Sequence, residues 1–277
     1  MESCFLRYPN FKRKALSFSY DDGVPSDKRL MEILDRYKMK GTFNITPNFL
    51  NNWKDTKSEE ETIEFYKNSG HEISAHGAKH LSLGDVCTSS AVKDVIEGRE
   101  TLEKIFGKII TGMAYANGTF NDDVVDILQK CGVHYSRTTV STLNFDLPSD
   151  WLRMPATCSS KNKNMMKLAQ EFLSIKDSPW FWANKPLLFL LWGHSYEFDS
   201  DNNWQDIEEF CKLLANREDI WYATNGEICD YVKAFNRLEY SVDGKIIYNP
   251  TDKNIYLCYY KKEIMIPKGG IVFDAKD

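Results

Sequence analysis

The stretch Leu16-Ser17-Phe18-Ser19-Tyr20-Asp21-Asp22-Gly23 decides the fold. Its first five residues alternate apolar and polar, as a half-buried strand does, and the glycine marks where the chain must turn. Both carboxylates therefore sit at the carboxyl end of a strand, the end at which β/α folds keep their chemistry. Adjacent strand residues point opposite ways, so the two aspartates are expected to divide the work. One aspartate can hold a metal ion while its neighbour stays free to take a proton from water. About fifty residues on, His76-Gly-Ala-Lys-His80 supplies two imidazoles four residues apart, on a helical turn or across a tight loop. Three protein ligands and an open position describe a catalytic site, because a closed structural site uses four. Each piece alone also reads as a solvated turn or a pair of packing histidines. The conjunction in a chain with only five histidines favours a site. A third histidine, His194, closes the strongest apolar run, Leu187 to Trp192.

Outward from that stretch, strand and helix signals alternate in seven units, the pattern of a parallel sheet with helices outside. The strands are expected at Leu16–Tyr20, Thr42–Ile45, Glu72–Ala75, Ile109–Ala116, Val133–Thr139, Leu187–Trp192 and Ile220–Thr224. Helices follow each, with Ser26 and Asn121 as expected caps and Ser58-x-x-Glu61 as an expected capping box. A long loop with Pro148 and Pro155 separates the fifth unit from a helix near Asn162–Ile175. From Leu238 four short runs are divided by Asp243-Gly244, Asn249-Pro250 and Pro267-Lys-Gly-Gly270, as short antiparallel strands would be. The expected architecture is a seven-unit β/α barrel over residues 1–237 with a small antiparallel β extension over 238–277.

The chain of 277 residues, 42% of them hydrophobic, can bury a large core, and no apolar stretch approaches the roughly 18 residues of a membrane span. A net charge of −5 without a dense basic tract gives no reason to bind nucleic acid. Seven scattered cysteines without C-x-x-C spacing argue for reduced thiols; Cys131, Cys211 and Cys229 read as buried, and Cys87, seven residues beyond His80, merits inspection. The opening residues lack a basic segment followed by an apolar stretch, so the chain reads as intracellular. Oligomeric state leaves no mark in the sequence.

The segments Ser17-Phe-Ser-Tyr-Asp-Asp-Gly23 and Gly70-His-Glu-Ile-Ser-Ala-His-Gly-Ala-Lys-His80 resemble the aspartate and histidine signatures of the NodB-homology polysaccharide deacetylases, carbohydrate esterase family four. The resemblance extends over roughly residues 12–236. It implies a distorted (β/α)7 barrel, one divalent metal ion, zinc first with cobalt, nickel or manganese as alternatives, and removal of acetyl groups from a carbohydrate. Residue by residue it implies Asp21 as general base, Asp22, His76 and His80 as metal ligands, and His194, in Leu191-Trp-Gly-His194, as general acid. Ala114-Tyr-Ala-Asn-Gly118 resembles the third motif, which implies the Asn117 backbone N–H as an oxyanion donor. The chain departs from the family at Ala114, where an arginine usually orients the catalytic aspartate, and at Gly77, where a small hydroxyl residue usually follows the first histidine. Arg137, expected at the carboxyl end of the fifth strand and on the same face as Asp21, is the candidate to replace the missing arginine. Tyr115, Trp151 and Trp192 are candidate substrate contacts. Trp180 and Trp182, before the sixth strand, read as packing, as do His71 and His134 at the amino ends of strands. The expected substrate is an amino-sugar oligo- or polysaccharide carrying N-acetyl groups. The alternatives are an O-acetyl carbohydrate esterase, a small-molecule amide hydrolase, and a carbohydrate-binding relative without catalysis.

Overall fold

The computed structural model describes residues 4–52, 59–178 and 184–275. Its strands in chain order are β1 (Cys4–Arg7), β2 (Lys14–Asp22), β3 (Gly41–Ile45), β4 (Glu72–Ala75), β5 (Gly112–Ala114), β6 (Tyr135–Ser141), β7 (Met154–Ala156), β8 (Cys158–Ser159), β9 (Leu187–Gly193) and β10 (Ile220–Tyr222). The helices are α1 (Asp27–Arg36), α2 (Glu59–Asn68), α3 (Thr88–Phe106), α4 (Asp122–Lys130), α5 (Met165–Ser174), α6 (Tyr196–Ser200), α7 (Trp204–Leu214) and α8 (Asn225–Phe235). Strands β2 to β10 form one parallel sheet with the order β7-β6-β5-β4-β3-β2-β9-β8, and β10 pairs with β2. Since β7 and β8 are separated only by Thr157, whose N–H donates to Leu190 O at 2.9 Å, the ring closes through residues 154–159. The result is the expected distorted barrel with helices outside it.

The seven positions of the ring are not all the expected ones. The segment expected as loop around Pro155 is itself a stave, bonded to β6 on one side and β9 on the other. The strand expected as the seventh stave, Ile220–Thr224, forms over Ile220–Tyr222 and among the described residues pairs only with Lys14–Leu16 at the start of β2, whose later residues pair with β3. Two such short strands, the first with a proline at its centre, carry too little apolar periodicity to be read from sequence, yet they satisfy the backbone edges of β6 and β9, which buried edges demand.

Alternation along β2 sorts its side chains. Leu16, Phe18 and Tyr20 join the cluster beneath the helices, with Phe43, Ile73, Phe189 and Phe210. Ser17, Ser19 and Asp21 face the lumen, where Ser17 meets Asn225 at 2.7 Å and Ser19 meets Asn44 of β3 at 2.9 Å. The lumen is thus polar on the β2–β4 side, and it is closed by Leu188 and Leu190 of β9 on the other. Helix ends follow local rules where the side chains are free to do so. Asn121 caps α4 at Val124 N, and Thr224 with Glu227 forms a capping box on α8. Ser26 makes no cap bond; its hydroxyl donates instead to Asp199. The proposed box at Ser58 falls outside the described residues, as do Trp180 and Trp182.

Beyond α8 come β11 (Glu239–Tyr240), β12 (Ile247–Tyr248), β13 (Ile255–Tyr259), β14 (Lys262–Ile266) and β15 (Ile271–Val272), in two antiparallel sheets ordered β11-β12-β15 and β1-β13-β14. The amino-terminal strand therefore completes a sheet made by the carboxyl-terminal segment. Tyr231 of α8 anchors it, donating to Arg7 O at 2.9 Å and accepting from Tyr256 N at 2.8 Å. All seven cysteines are free. No described helix is long and apolar enough to cross a membrane.

Candidate active site

The carboxyl ends of β2, β4 and β9 converge on one cluster. β2 ends in Asp21 and Asp22, but the expectation that they point to opposite sides is corrected by the backbone. Asp22 has φ +83°, which turns it back, so that His76 Nε2 lies 4.0 Å from Asp21 Oδ2 and 3.6 Å from Asp22 Oδ1. A left-handed non-glycine residue costs about 1–3 kcal/mol and persists where surrounding structure enforces it. His80 shares the conformation, with φ +56°. The two histidines flank an irregular loop after β4 rather than a helical turn. His80 Nε2 comes within 3.3 Å of Asp22 Oδ1, and one ligand atom from each of Asp22, His76 and His80 lies within 4.8 Å of the others.

These three residues fit a divalent metal. Asp22 Oδ1 is buried and accepts no hydrogen bond among the described residues, an arrangement that is costly unless a cation completes it. His76 Nδ1 lies 2.9 Å from Ala114 O; a carbonyl only accepts, so Nδ1 carries the hydrogen and the Nε2 lone pair faces Asp22. Burial holds His76 below the usual histidine range and so keeps it neutral. The neighbouring Asp22 carboxylate lifts His80 above that range. Two imidazoles and a carboxylate suit zinc and also accept cobalt, nickel or manganese.

Asp21 lies beside this group with different partners. Arg137 Nη2 donates to both of its oxygens, and Asn44 Nδ2 donates to Oδ1 at 2.9 Å. Arg137 is not at the carboxyl end of its strand as expected. It is the third residue of β6 and reaches Asp21 across the lumen. The guanidinium also donates from Nε to Ser19 Oγ at 3.3 Å and from Nη1 to Thr138 O at 3.2 Å, and its Cζ stacks 4.5 Å from the Trp192 ring. Burial alone would push the Asp21 carboxyl up; the charge of Arg137 and its hydrogen bonds outweigh it and hold the group below the usual carboxylate range.

His194 faces the cluster from β9, its Nε2 4.0 Å from both Asp21 Oδ2 and Asp22 Oδ2. Glu197, one turn on, lies 3.5 Å from His194 Nδ1 and accepts the His194 backbone N–H at 3.3 Å. Burial opposes the imidazolium, yet Glu197, Asp21 and Asp22 together raise His194 above the usual histidine range. Sequence reasoning missed Glu197, although His194-x-x-Glu197 is a one-turn spacing that could have signalled it. It also missed Tyr196, 41% exposed, with its ring centroid 5.2 Å from that of His194.

The aromatic candidates fare differently. Tyr115 is buried, stacked on Phe120, and its hydroxyl donates to Leu152 O at 2.6 Å, so it presents no face to a substrate. Trp151 packs against the cluster that contains Leu188, Leu190 and Met154. Trp192 has one face covered by Arg137 and its edge towards His194. Asn117 takes φ +57°, and its side chain donates to Ser82 Oγ at 3.0 Å. His71 accepts from Gly41 N, and His134 lies 3.5 Å from Asp230, both away from the cluster. Cys87 Sγ meets the Ser89 and Ser90 hydroxyls.

Residues 9–136 match the family model of polysaccharide deacetylase. The matched segment contains Asp21, Asp22, His76 and His80 and ends one residue before Arg137, so Arg137 and His194 meet these residues through the fold of the barrel. Among solved structures, the chain is similar to a polysaccharide-deacetylase-type protein from Mycobacterium smegmatis (18% identity, TM-score 0.63, covering 85% of this chain and 96% of that one). It is similar to another from Pseudomonas aeruginosa PAO1 (14% identity, TM-score 0.60, 80% and 92%). It is similar as well to Puue allantoinase (12% identity, TM-score 0.59, 80% and 91%). At these identities the likeness is one of fold. No curated protein matches the sequence.

Proposed function

We propose that the protein is a metal-dependent hydrolase that removes acetyl groups from a carbohydrate, with N-acetyl groups of an amino-sugar oligo- or polysaccharide as substrate. The observation that carries this reading is the pairing of Asp21, gripped by Arg137, with His194 across the Asp22, His76 and His80 cluster. A binding protein needs no ionised base opposed to a protonated acid. The same fold includes an allantoinase, so the fold leaves the substrate open and the sugar assignment rests on the domain family and on the exposed Tyr196 ring beside His194.

Asp22, His76 and His80 would hold the cation, which when bound supplies Lewis-acid polarisation of the acetyl oxygen and lowers the pKa of water. Asp21, ionised at neutral pH, takes a proton at Oδ2 as water attacks the acetyl carbon. In this reading the Asn117 backbone N–H is the oxyanion donor, a contribution of about 3 kcal/mol for a well-aimed donor. His194 gives its Nε2 proton to the nitrogen as the C–N bond breaks, so the sugar leaves as an amine and the acetyl group as acetate. Glu197 keeps His194 protonated until that step. Residues 1–237 form the catalytic unit in this reading, and 238–277 an extension buttressing it through β13 and α8. Acetate release from acetylated chito-oligosaccharides, lost on chelation and restored by zinc or cobalt, is the test. Release of acetate only from O-acetylated sugars would redirect the assignment to an esterase, and no release from either would refute it.

A further inference from the structure

Gly77 stands between the two candidate metal histidines where a hydroxyl residue is usual in the resembled family, and α3 offers a reason. Gly77 has φ +77°, and a Cβ built on it would lie 2.4 Å from Asp94 Oδ2. Asp94 is 2% exposed, accepts the Lys79 backbone N–H at Oδ1 (2.9 Å), and accepts the Ala78 N–H at its own carbonyl (3.2 Å). One turn further along α3, a Cβ on Gly98 would come within 2.8 Å of Ala78 N and Gly77 C. The helix backbone therefore approaches the loop too closely for any side chain at 98, and the Asp94 carboxylate fills the space that a side chain at 77 would use. Asp94 Oδ2 is buried and has no hydrogen-bond partner among the described residues, so it fills the space beside Gly77 without a bond of its own.

We infer that Asp94 is a positioning residue for the metal: through Lys79 N–H it sets the bend of the Gly77-Ala78-Lys79 bridge and hence the separation of the His76 and His80 imidazoles. Gly77 and Gly98 are the two vacancies that let it do so. The inference rests on the assignment of Asp22, His76 and His80 as metal ligands, and it adds a residue on a different element that touches none of them through its side chain. A ligand pair joined by three residues depends on that bridge, since His80 is already held in a left-handed conformation.

The test uses full-length wild-type protein and the variants Asp94→Ala, Asp94→Asn, Gly77→Ser and the double Gly77→Ser with Asp94→Ala, all stripped by chelator. Each is titrated with Zn2+ and Co2+, with affinity, cobalt absorption spectrum and metal-free Tm recorded. Asp94→Ala is expected to weaken zinc binding by about tenfold to a hundredfold, the range seen when groups supporting metal ligands are removed, and to alter the cobalt spectrum. Asp94→Asn keeps the Oδ1 acceptor and is expected to retain affinity and spectrum close to wild type. Gly77→Ser weakens binding, and removing the carboxylate in the double variant restores part of it. Wild-type affinity and spectrum in Asp94→Ala would overturn the inference, as would a double variant that binds no better than Gly77→Ser, which also serves should Asp94→Ala alone fail to fold. Wild-type protein that takes up neither metal would instead overturn the ligand assignment beneath it, so the two failures are distinguishable.

Discussion

Replacing Arg137 tests the site most sharply, because the residue sits outside the matched segment and touches Asp21 without touching any proposed metal ligand. Arg137 is fully buried and Asp21 is 2% exposed. Removing one member of such a pair strands a buried charge, at about 3–5 kcal/mol. In Arg137→Met, which retains volume over Trp192, Asp21 keeps only Asn44 as a polar donor, and protonation becomes its escape. At about 1.4 kcal/mol per tenfold, that penalty moves the acidic limb of the kcat/KM profile upward by roughly two pH units or more. The stability signs are opposite in the two proteins. In wild type the depressed Asp21 contributes stability that is present above the unfolded carboxylate pKa and lost as pH falls through the folded value. In Arg137→Met the group is raised, so the variant loses stability as pH climbs above the ordinary carboxylate range. Arg137→Lys keeps the charge but loses the straddling contact on both oxygens and the Ser19 and Thr138 bonds. About one charge-assisted hydrogen bond, 1.5–3 kcal/mol, predicts a loss of roughly tenfold to a hundredfold in kcat/KM. The assays are acetate-release pH profiles and chemical denaturation at several pH values. An unshifted acidic limb in Arg137→Met, with an unchanged rate in Arg137→Lys, would refute the role given to this arginine.

Metal analysis of Asp22→Ala, His76→Ala and His80→Ala is expected to show depleted zinc in each, and full occupancy in all three would remove the ligand assignment. Asp21→Asn should keep its metal yet lose turnover by several orders of magnitude, since an amide cannot take the proton; unchanged acetate release would show that the base lies elsewhere. Glu197→Gln removes the leading influence that raises His194, so the alkaline limb of the rate profile, set by loss of the acid's proton, should move to lower pH, and an unmoved limb would detach Glu197 from the acid. Tyr196→Ala should raise KM with little change in kcat, whereas Tyr196→Phe keeps the ring and should resemble wild type; equal KM in all three would argue against stacking on this residue.

The sequence by itself determined the order of strands and helices, because alternation and capping are local, and it put Asp21 and Asp22 at a strand end with two histidines four residues apart. It also pointed to Arg137 through a deficit, the alanine at 114, that some other cation had to make good. What it could not supply was anything decided by closure of the ring. The stave at 154–159 is too short and too broken by proline to carry a pattern, and it is a strand only because β6 and β9 leave buried backbone groups to be bonded. The convergence of both aspartates depends on a left-handed turn at Asp22, against the alternation read from the sequence, and is held there by the packed strand end. Asp94 reaches the histidine loop, and Arg137 reaches Asp21, from elements more than a dozen residues away along the chain, so no local spacing encodes either contact. Local propensity settles which residues form elements; long-range packing settles which side chains share a few ångströms of buried space, and the chemistry resides in that second choice.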